Sequence, residues 1–230
     1  MKFGGTSVGD IAKINNVANI IEKEVINKKL IVVLSAMAGE TNKMQNYIDA
    51  IKSEETIEND LILTSGENVT VGILSAILKK RNIKSIPLLG WQIPIITDEN
   101  HQKAKILNID KDRIDKFLKD NDVIVLAGFQ GINLNGHVTS LGRGGSDTTA
   151  VAIASAVKAE RCDIYTDVDG VYTTDPNIVQ DAKKIPKLAF EEMLEMSSTG
   201  AKVLHTRSVE LAMKNNLILQ VLSSLKKKAG

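Results

Sequence analysis

The chain has 230 residues, of which 43% are hydrophobic and 25% charged, values that are ordinary for a soluble globular protein. A net charge of +1 and an aromatic content of 3% argue against nucleic acid or an anionic membrane as partners. The single cysteine, Cys162, excludes an intrachain disulfide and fits a reducing cytoplasm. The three histidines lie far apart and no apolar run approaches ~18 residues, so we expect neither a transition-metal centre nor a membrane span.

The first part of the chain alternates predicted strands and helices. Met1 to Ser7 is predicted to be the end of a strand that continues into a Gly-Gly-Thr-Ser loop, and Asp10 is predicted to cap the following helix. The β-branched run Leu30–Leu34 is typical of a strand buried on both faces of a parallel sheet. A polar loop is predicted after it, through Ser35 and 39–42, at the end of the strand where open α/β sheets bind ligands.

The middle of the chain continues this alternation. Residues 57–80 are predicted to be helical, with an interruption at 64–67. The next predicted elements are short strands at 83–88 and 93–97, an amphipathic helix at 111–120, a buried strand at 123–127 and a hairpin at 132–139 around Asn135-Gly136.

A glycine-rich stretch from Leu141 to Ala150 precedes the next predicted helix. Three glycines within four positions permit a tight turn that approaches a ligand closely, and Arg143 lies among them. Either Ser146 or Asp147 is predicted to cap the helix. A glycine loop that opens a helix presents free N–H groups to an anion, although the same pattern also occurs in plain strand-to-helix connections.

The last part of the chain completes an α/β pattern. It comprises a predicted strand at 162–166, an acidic and hydroxyl-rich loop at 167–177, helices at about 190–197 and 200–215, a strand at 217–221 and a basic tail at 226–228. No repeat or Pro/Gly-rich linker divides the chain. The sequence therefore predicts one domain, a three-layer α/β/α sandwich with a mostly parallel central sheet and a hairpin insertion.

Three features fall at the carboxyl ends of predicted strands: the Gly4-Gly5 loop beside Lys2, the stretch from Gly142 to Asp147, and the loop from Thr166 to Pro176. Two glycine-rich loops with a nearby lysine suit phosphoryl transfer, which depends on positioning and on neutralising phosphate charge. The chain contains neither GxxxxGK[ST] nor GxGxxG in a strand–helix–strand setting, so Walker-type and dinucleotide-binding folds are not supported.

In their order along the chain, the motifs resemble the catalytic domain of aspartate kinases. They are the segments 2–8, 34–37 with Thr41-Asn42, 65–67, 90–92, 128–131, 142–149, 166–170, 172–176 and 201–205. The resemblance implies an amino-acid-kinase, carbamate-kinase-like fold over residues 1–230 and a cytoplasmic homo-oligomer, a dimer weakened by the missing regulatory domains. It also implies that ATP, with Mg²⁺, phosphorylates the side-chain carboxylate of L-aspartate to give 4-phospho-L-aspartate, the entry to lysine, threonine, methionine and diaminopimelate biosynthesis.

The resemblance also implies roles for individual residues. Lys2 and Lys202 would neutralise the transferred phosphoryl group, and Asp147 would orient Lys2, although Lys202 alone could be a solvated helix residue. Arg143 would hold a carboxylate of aspartate. Glu67 would hold its ammonium, although a favourable first-turn acid is an equal explanation. The other implied contacts are Thr41, Gly144, Gly145 and Ser146 for aspartate, and Phe3, Gly4, Gly5, Ser7, Ser35, Thr166, Asp167, Tyr172, Thr173, Thr174, Asp175, Pro176 and Asn177 for ATP.

Some features depart from the family's pattern. Asn177 stands where an arginine is common, which puts one nucleotide contact in question, and the first strand is short. The chain ends at Gly230 without the small ACT regulatory domains, so we expect no feedback inhibition by lysine or threonine. Two alternatives stay open: another enzyme of the same fold that acts on a different acid or a nucleotide monophosphate, and a catalytically impaired nucleotide-binding subunit.

Overall fold

The computed structural model describes residues 1–54, 56–175, 178–200 and 203–225, and its centre is a six-stranded parallel sheet. The helices are α1 (Ile11–Glu24), α2 (Glu40–Ile51), α3 (Thr56–Leu63), α4 (Ser65–Lys80), α5 (Lys111–Asp120), α6 (Gly145–Ala156), α7 (Phe190–Ser198) and α8 (Thr206–Lys214), and Gly5–Val8 forms a short 3-10 helix. The strands are β1 (Lys2–Phe3), β2 (Leu30–Leu34), β3 (Ser85–Leu88), β4 (Ile95–Thr97), β5 (Ile106–Ile109), β6 (Val123–Ala127), β7 (Gln130–Ile132), β8 (Val138–Ser140), β9 (Cys162–Thr166), β10 (Val171–Tyr172), β11 (Lys184–Ile185) and β12 (Leu219–Ser223).

The central sheet has the strand order β12-β9-β1-β2-β6-β3, and each neighbouring pair is parallel. β1 has only two residues, yet it lies between two strands of five residues, and Lys2 pairs with Val33 of β2 and with Ile164 of β9. The first residues of the chain therefore occupy the middle of the sheet. This arrangement confirms the predicted α/β fold with a parallel central sheet.

Hydrophobic residues cover both faces of this sheet. Val32 and Leu34 of β2 belong to a buried cluster with α1 and α4, whereas Val33 between them belongs to a second cluster with α6 and α8. Because side chains alternate across a strand, a strand covered by helices on both faces must be apolar at every position. The uninterrupted apolar runs of β2 and β6 follow from this double burial.

A smaller sheet, ordered β5-β4-β7-β8, is inserted before α6 and carries the predicted hairpin. β7 and β8 pair antiparallel, and the side-chain oxygen of Asn133 accepts hydrogen bonds from the backbone N–H groups of Asn135 and His137. Gly136 has φ +84° within this turn. The hairpin prediction is confirmed, but the connection spans residues 133–137, because Asn133 organises a loop longer than a two-residue turn.

Three local predictions need correction. The segment after Gly39, predicted as loop, is helical from Glu40, and β5 was not predicted at all. Neither Ser146 nor Asp147 caps α6: its N-cap is Gly144, in a left-handed conformation, and no side chain makes a capping hydrogen bond. By contrast, Asp10 caps α1 as predicted, since its carboxylate accepts a hydrogen bond from Lys13 N at 2.7 Å.

The segment Thr56–Lys80, which contains α3 and α4, is long and apolar enough to cross a membrane by length and composition alone. Half of its most apolar window is buried inside the protein. α4 packs against α1, β3 and β6, so its apolar residues serve the core of the domain.

Candidate active site

The four central strands end at the same level of the sheet. Phe3 is in register with Leu34 and with Tyr165, and Leu34 is in register with Ala127. The chain passes from β1 to β2 on one side, whereas β9 lies on the other side of β1. Ligands of open α/β sheets bind at such a reversal, beyond the carboxyl ends of the strands. The residues at this edge are Gly4, Ser35, Gly128 and Thr166.

An ion pair at this edge joins β1 to α6. Lys2 Nζ lies 2.7 Å from Asp147 Oδ1, and the two side chains are only 11% and 13% exposed. Asp147 belongs to the first turn of α6. The carboxylate holds the lysine ammonium at the carboxyl edge of the sheet, in surroundings where its charge is little screened.

The first glycine loop is closed by backbone hydrogen bonds to the neighbouring strands. Gly4 N donates to Tyr165 O at 3.2 Å, and Gly5 O accepts a hydrogen bond from Ala38 N at 3.2 Å. The hydroxyl groups of Ser7 and Ser224 are 2.6 Å apart in a buried contact. Ser7 thus contacts the segment that follows β12, and the first glycine loop is fixed by β9, by the segment after β2 and by the segment after β12.

The second glycine loop turns sharply ahead of α6. Gly142 and Gly144 have φ values of +71° and +69°, a region that residues with a Cβ atom rarely occupy. A Cβ atom on Gly144 would lie 2.3 Å from Cγ of His205, so the loop also packs tightly against that ring. We therefore expect replacement of either glycine to displace the residues that the loop presents.

Arg207, which the sequence analysis did not single out, supports this loop from α8. Its guanidinium donates hydrogen bonds to the carbonyl oxygens of Leu141 and Arg143, the latter at 3.1 Å. The side chain of Arg143 is exposed and forms no hydrogen bond or ion pair with the residues that the structure describes. A single arginine inside an ordinary amphipathic helix carries no motif, so only the folded chain reveals the role of Arg207.

Glu67 is a buried carboxylate at the start of α4. It is 2% exposed, and its Oε1 accepts a hydrogen bond from Ala36 N at 3.1 Å. Its buried Oε2 has no hydrogen-bond partner among the described residues. Burial raises the pKa of Glu67 to about 7, against the lowering effect of the hydrogen bond from Ala36. A solvated first-turn acid would show neither feature, so that explanation does not fit Glu67.

The predicted nucleotide-binding residues lie on β9 and in the segment after it. Thr166 Oγ donates to Asp167 Oδ1 at 3.0 Å, and Tyr172 OH donates to Asp169 Oδ1 at 2.8 Å. Both contacts are local. Thr166, the last residue of β9, lies at the same edge of the central sheet as Gly4. The other predicted residues divide into Thr41, Thr173, Thr174 and Asp175, which are exposed, Gly145 and Ser146, which are buried, and Pro176, Asn177 and Lys202, which lie outside the described residues.

The model of the amino acid kinase family matches residues 1–223. The chain is 51% identical over 231 residues to an aspartate kinase of Pseudomonas putida and 50% identical over 228 residues to an aspartokinase of Rickettsia felis. These alignments cover 100% and 97% of this chain, but only 56% and 57% of the relatives. The crystal structure of Escherichia coli aspartokinase III in complex with aspartate and ADP superposes with a TM-score of 0.86 at 29% identity, covering 100% of this chain and 62% of that one. Because the family model matches nearly the whole sequence, the chain belongs to the amino acid kinase family.

Proposed function

We propose that the chain phosphorylates the side-chain carboxylate of L-aspartate with ATP, giving 4-phospho-L-aspartate and ADP. The observation that carries this proposal is the Lys2–Asp147 ion pair at 2.7 Å, at the edge where the central strands end beside two glycine loops. The aspartate kinase of P. putida, of which this chain covers about half, supports the choice of acceptor.

The reaction requires no general base. A carboxylate oxygen of aspartate attacks the γ-phosphorus while the bond from that phosphorus to the bridging oxygen of ADP breaks, and no proton has to leave the nucleophile because it is already ionised. What the protein must supply is alignment and relief of charge repulsion. Lys2 would neutralise charge on the transferred group, and Asp147 would keep its ammonium in place.

Two side chains of opposite charge would hold the amino acid. Glu67 in its ionised form would pair with the ammonium, using the oxygen that has no partner within the described protein. Arg143, exposed on the rim of the second glycine loop, would hold the α-carboxylate in a bidentate contact. This arrangement leaves the side-chain carboxylate of aspartate to face the nucleotide.

The donor groups fit a Mg²⁺ ion that is carried by the nucleotide. The described residues contain no group of three or more His, Cys, Asp or Glu side chains that could hold a metal by themselves. Mg²⁺ in kinases is held largely by phosphate oxygens with one or two carboxylates, and it offsets phosphate charge when bound. Asp147 is the carboxylate next to Lys2 that could contribute an oxygen.

The proposal is tested by ADP release from the purified chain with ATP, Mg²⁺ and L-aspartate, against L-glutamate, UMP and a reaction without acceptor. We expect aspartate-dependent turnover, which Lys2→Ala lowers by about 10²-fold or more in kcat. Lys23→Ala is the matched control, because this exposed lysine lies in the last turn of α1. Nucleotide binding without turnover would indicate an impaired subunit instead, and turnover with UMP would indicate a different acceptor.

The assignment of Arg143 has a separate test. Arg143→Ala should raise the KM for aspartate with little change in the KM for ATP, since the guanidinium is assigned to the amino acid alone. Equal effects on both KM values would remove this assignment while leaving the activity itself in place.

A further inference from the structure

Asp60, in α3, is a fully buried carboxylate whose oxygen atoms are both occupied by protein groups. Ser140 Oγ donates to Oδ1 at 2.5 Å, and His101 Nδ1 lies 2.7 Å from Oδ2. The backbone N–H of Gln102 donates to Oδ1 and Oδ2 at 3.0 and 3.2 Å. Asp60 thus joins three segments that are distant in sequence: α3, the loop around residues 98–105, and the end of β8.

Asp60 holds Gln102 in an unusual backbone conformation. Gln102 has φ +62°, in the left-handed region that is costly for a residue with a Cβ atom. Its carbonyl oxygen faces Gly142, where a Cβ atom would lie 2.8 Å away. The second glycine loop therefore rests on a strained residue that the carboxylate of Asp60 stabilises.

The same carboxylate also fixes the start of that loop. Ser140 is the last residue of β8 and lies two positions before Gly142, and its carbonyl accepts a hydrogen bond from Ala104 N at 3.0 Å. On the opposite side, Arg207 binds the carbonyl groups of Leu141 and Arg143. Because the side chain of Arg143 has no described partner, the backbone alone sets its position.

We propose that Asp60 is a positioning residue for the loop 141–146, and that it controls acceptor affinity by fixing where the backbone of Arg143 lies. The identity of the acceptor rests on the proposed function above. Asp60 itself makes no contact with the acceptor. Its effect should therefore fall on the KM for the amino acid, while the nucleotide, which is assigned to other segments, should bind as before.

The test compares Asp60→Asn with Asp163→Asn. In Asp60→Asn, the new amide N–H group faces hydrogen-bond donors, so buried polar groups lose their partners. We expect the KM for aspartate to rise about tenfold and the KM for ATP to stay within about twofold of the wild-type value. Asp163 is also buried, at 5% exposure, and is paired with Arg161 at 2.8 Å, but it lies near the amino end of β9. Its replacement should lower stability without changing the KM for aspartate selectively.

A second measurement does not depend on activity. Hydrogen exchange of the segment 138–146 should accelerate about tenfold in Asp60→Asn, relative to Asp163→Asn, because a local opening made easier by about 1.4 kcal/mol exchanges ten times faster. Adding Gln102→Gly should restore part of the aspartate affinity, since glycine adopts φ +62° without the help of Asp60. If Asp60→Asn does not fold, Ser140→Ala removes one of its contacts and should show smaller changes in the same direction.

The outcomes separate the two proposals. Unchanged exchange in segment 138–146, or equal rises in both KM values, would overturn the role of Asp60. Faster exchange in a chain whose wild type shows no aspartate-dependent turnover would refute the proposed function and leave the role of Asp60 in the loop supported.

Discussion

Asp60 and Glu67 lie on consecutive helices and are both buried, at 0% and 2% exposure. They differ in how many of their carboxylate oxygens accept hydrogen bonds from the protein. Asp60 receives contacts from Ser140, His101 and Gln102 on its two oxygens, whereas Glu67 has a protein partner on Oε1 and none among the described residues on Oε2. Burial raises the pKa of Glu67 to about 7, and the hydrogen bond from Ala36 only partly offsets this effect.

This difference in hydrogen bonding distinguishes a carboxylate with a structural role from a carboxylate that is available to bind a ligand. A buried carboxylate whose oxygens all accept hydrogen bonds holds segments of the fold together, because these hydrogen bonds offset the free energy of desolvating it. A buried carboxylate with one free oxygen makes the unliganded protein less stable when ionised, and a ligand ammonium would relieve this. The following measurements test whether the two residues divide in this way.

The largest expected effect is on acceptor use by Glu67→Gln. Removing one member of a buried charge pair costs about 2–5 kcal/mol, so kcat/KM for aspartate should fall by about 30-fold or more, with ATP affinity unchanged. Glu58→Gln is the matched control, because Glu58 occupies the first turn of α3 but is exposed. Near-normal aspartate kinetics in Glu67→Gln would place the ammonium elsewhere.

The next effect is on stability as a function of pH. Glu67 has an ordinary value of 4.5 and a folded pKa of about 7, so between these values the folded state keeps a proton that the unfolded chain has lost. Its contribution to the free energy of unfolding should therefore fall as pH rises from about 4.5 to about 7, by about 3 kcal/mol in total. Urea unfolding of Glu67→Gln should lack this decline, and parallel pH curves for the two proteins would contradict the assignment.

A smaller effect concerns substrate affinity. If the ionised form of Glu67 binds the ammonium, the KM for aspartate should rise about tenfold for each pH unit below about 7, since each unit removes most of the remaining carboxylate. The KM for ATP, measured in parallel, corrects for titration of the nucleotide. The same pH dependence in Glu67→Gln would show that another group is responsible.

The smallest effect is expected on the Asp60 side of the comparison. Ser140→Ala removes one hydrogen bond and leaves the contacts from His101 and Gln102, so the free energy of unfolding should fall by about 1 kcal/mol. Ser75→Ala, which breaks a buried contact with Ser85 away from the glycine loops, is the control. A loss as large as that of Asp60→Asn would mean that Ser140 carries most of the contribution of Asp60.

The core of the fold could be predicted because burial on both faces leaves a clear pattern. β2 and β6 have the predicted bounds, since each is an uninterrupted apolar run, and the break between α3 and α4 falls at Thr64 within the predicted interruption. Two elements were missed for different reasons. In α2, Met44, Tyr47, Ile48 and Ile51 do recur at helical spacing, but only Ile48 is buried and the polar start of the helix was read as a loop. β5 exposes Leu107 and has no alternating pattern.

The site divides in a similar way. Lys2 and Asp147 lie in recognisable motifs, and the resemblance of these motifs to aspartate kinases implied that the two residues meet. The contacts of Asp60 join single polar residues 41 and 80 positions away, which carry no local signal. The capping prediction for α6 was wrong because the glycine turn, with Gly144 at φ +69°, leaves Asp147 facing Lys2.

The contact between Ser7 and Ser224, 217 positions apart, bears on how the chain folds. β1 lies between β2 and β9, and the loop that follows it is held by Tyr165 and Ala38 and also by Ser224, which lies beyond β12. Contacts of such long range are formed at a high entropic cost, so we expect slow folding in which β1 and the loop after it are among the last segments to settle. During translation, nucleotide binding should therefore appear only after Ser224 has left the ribosome.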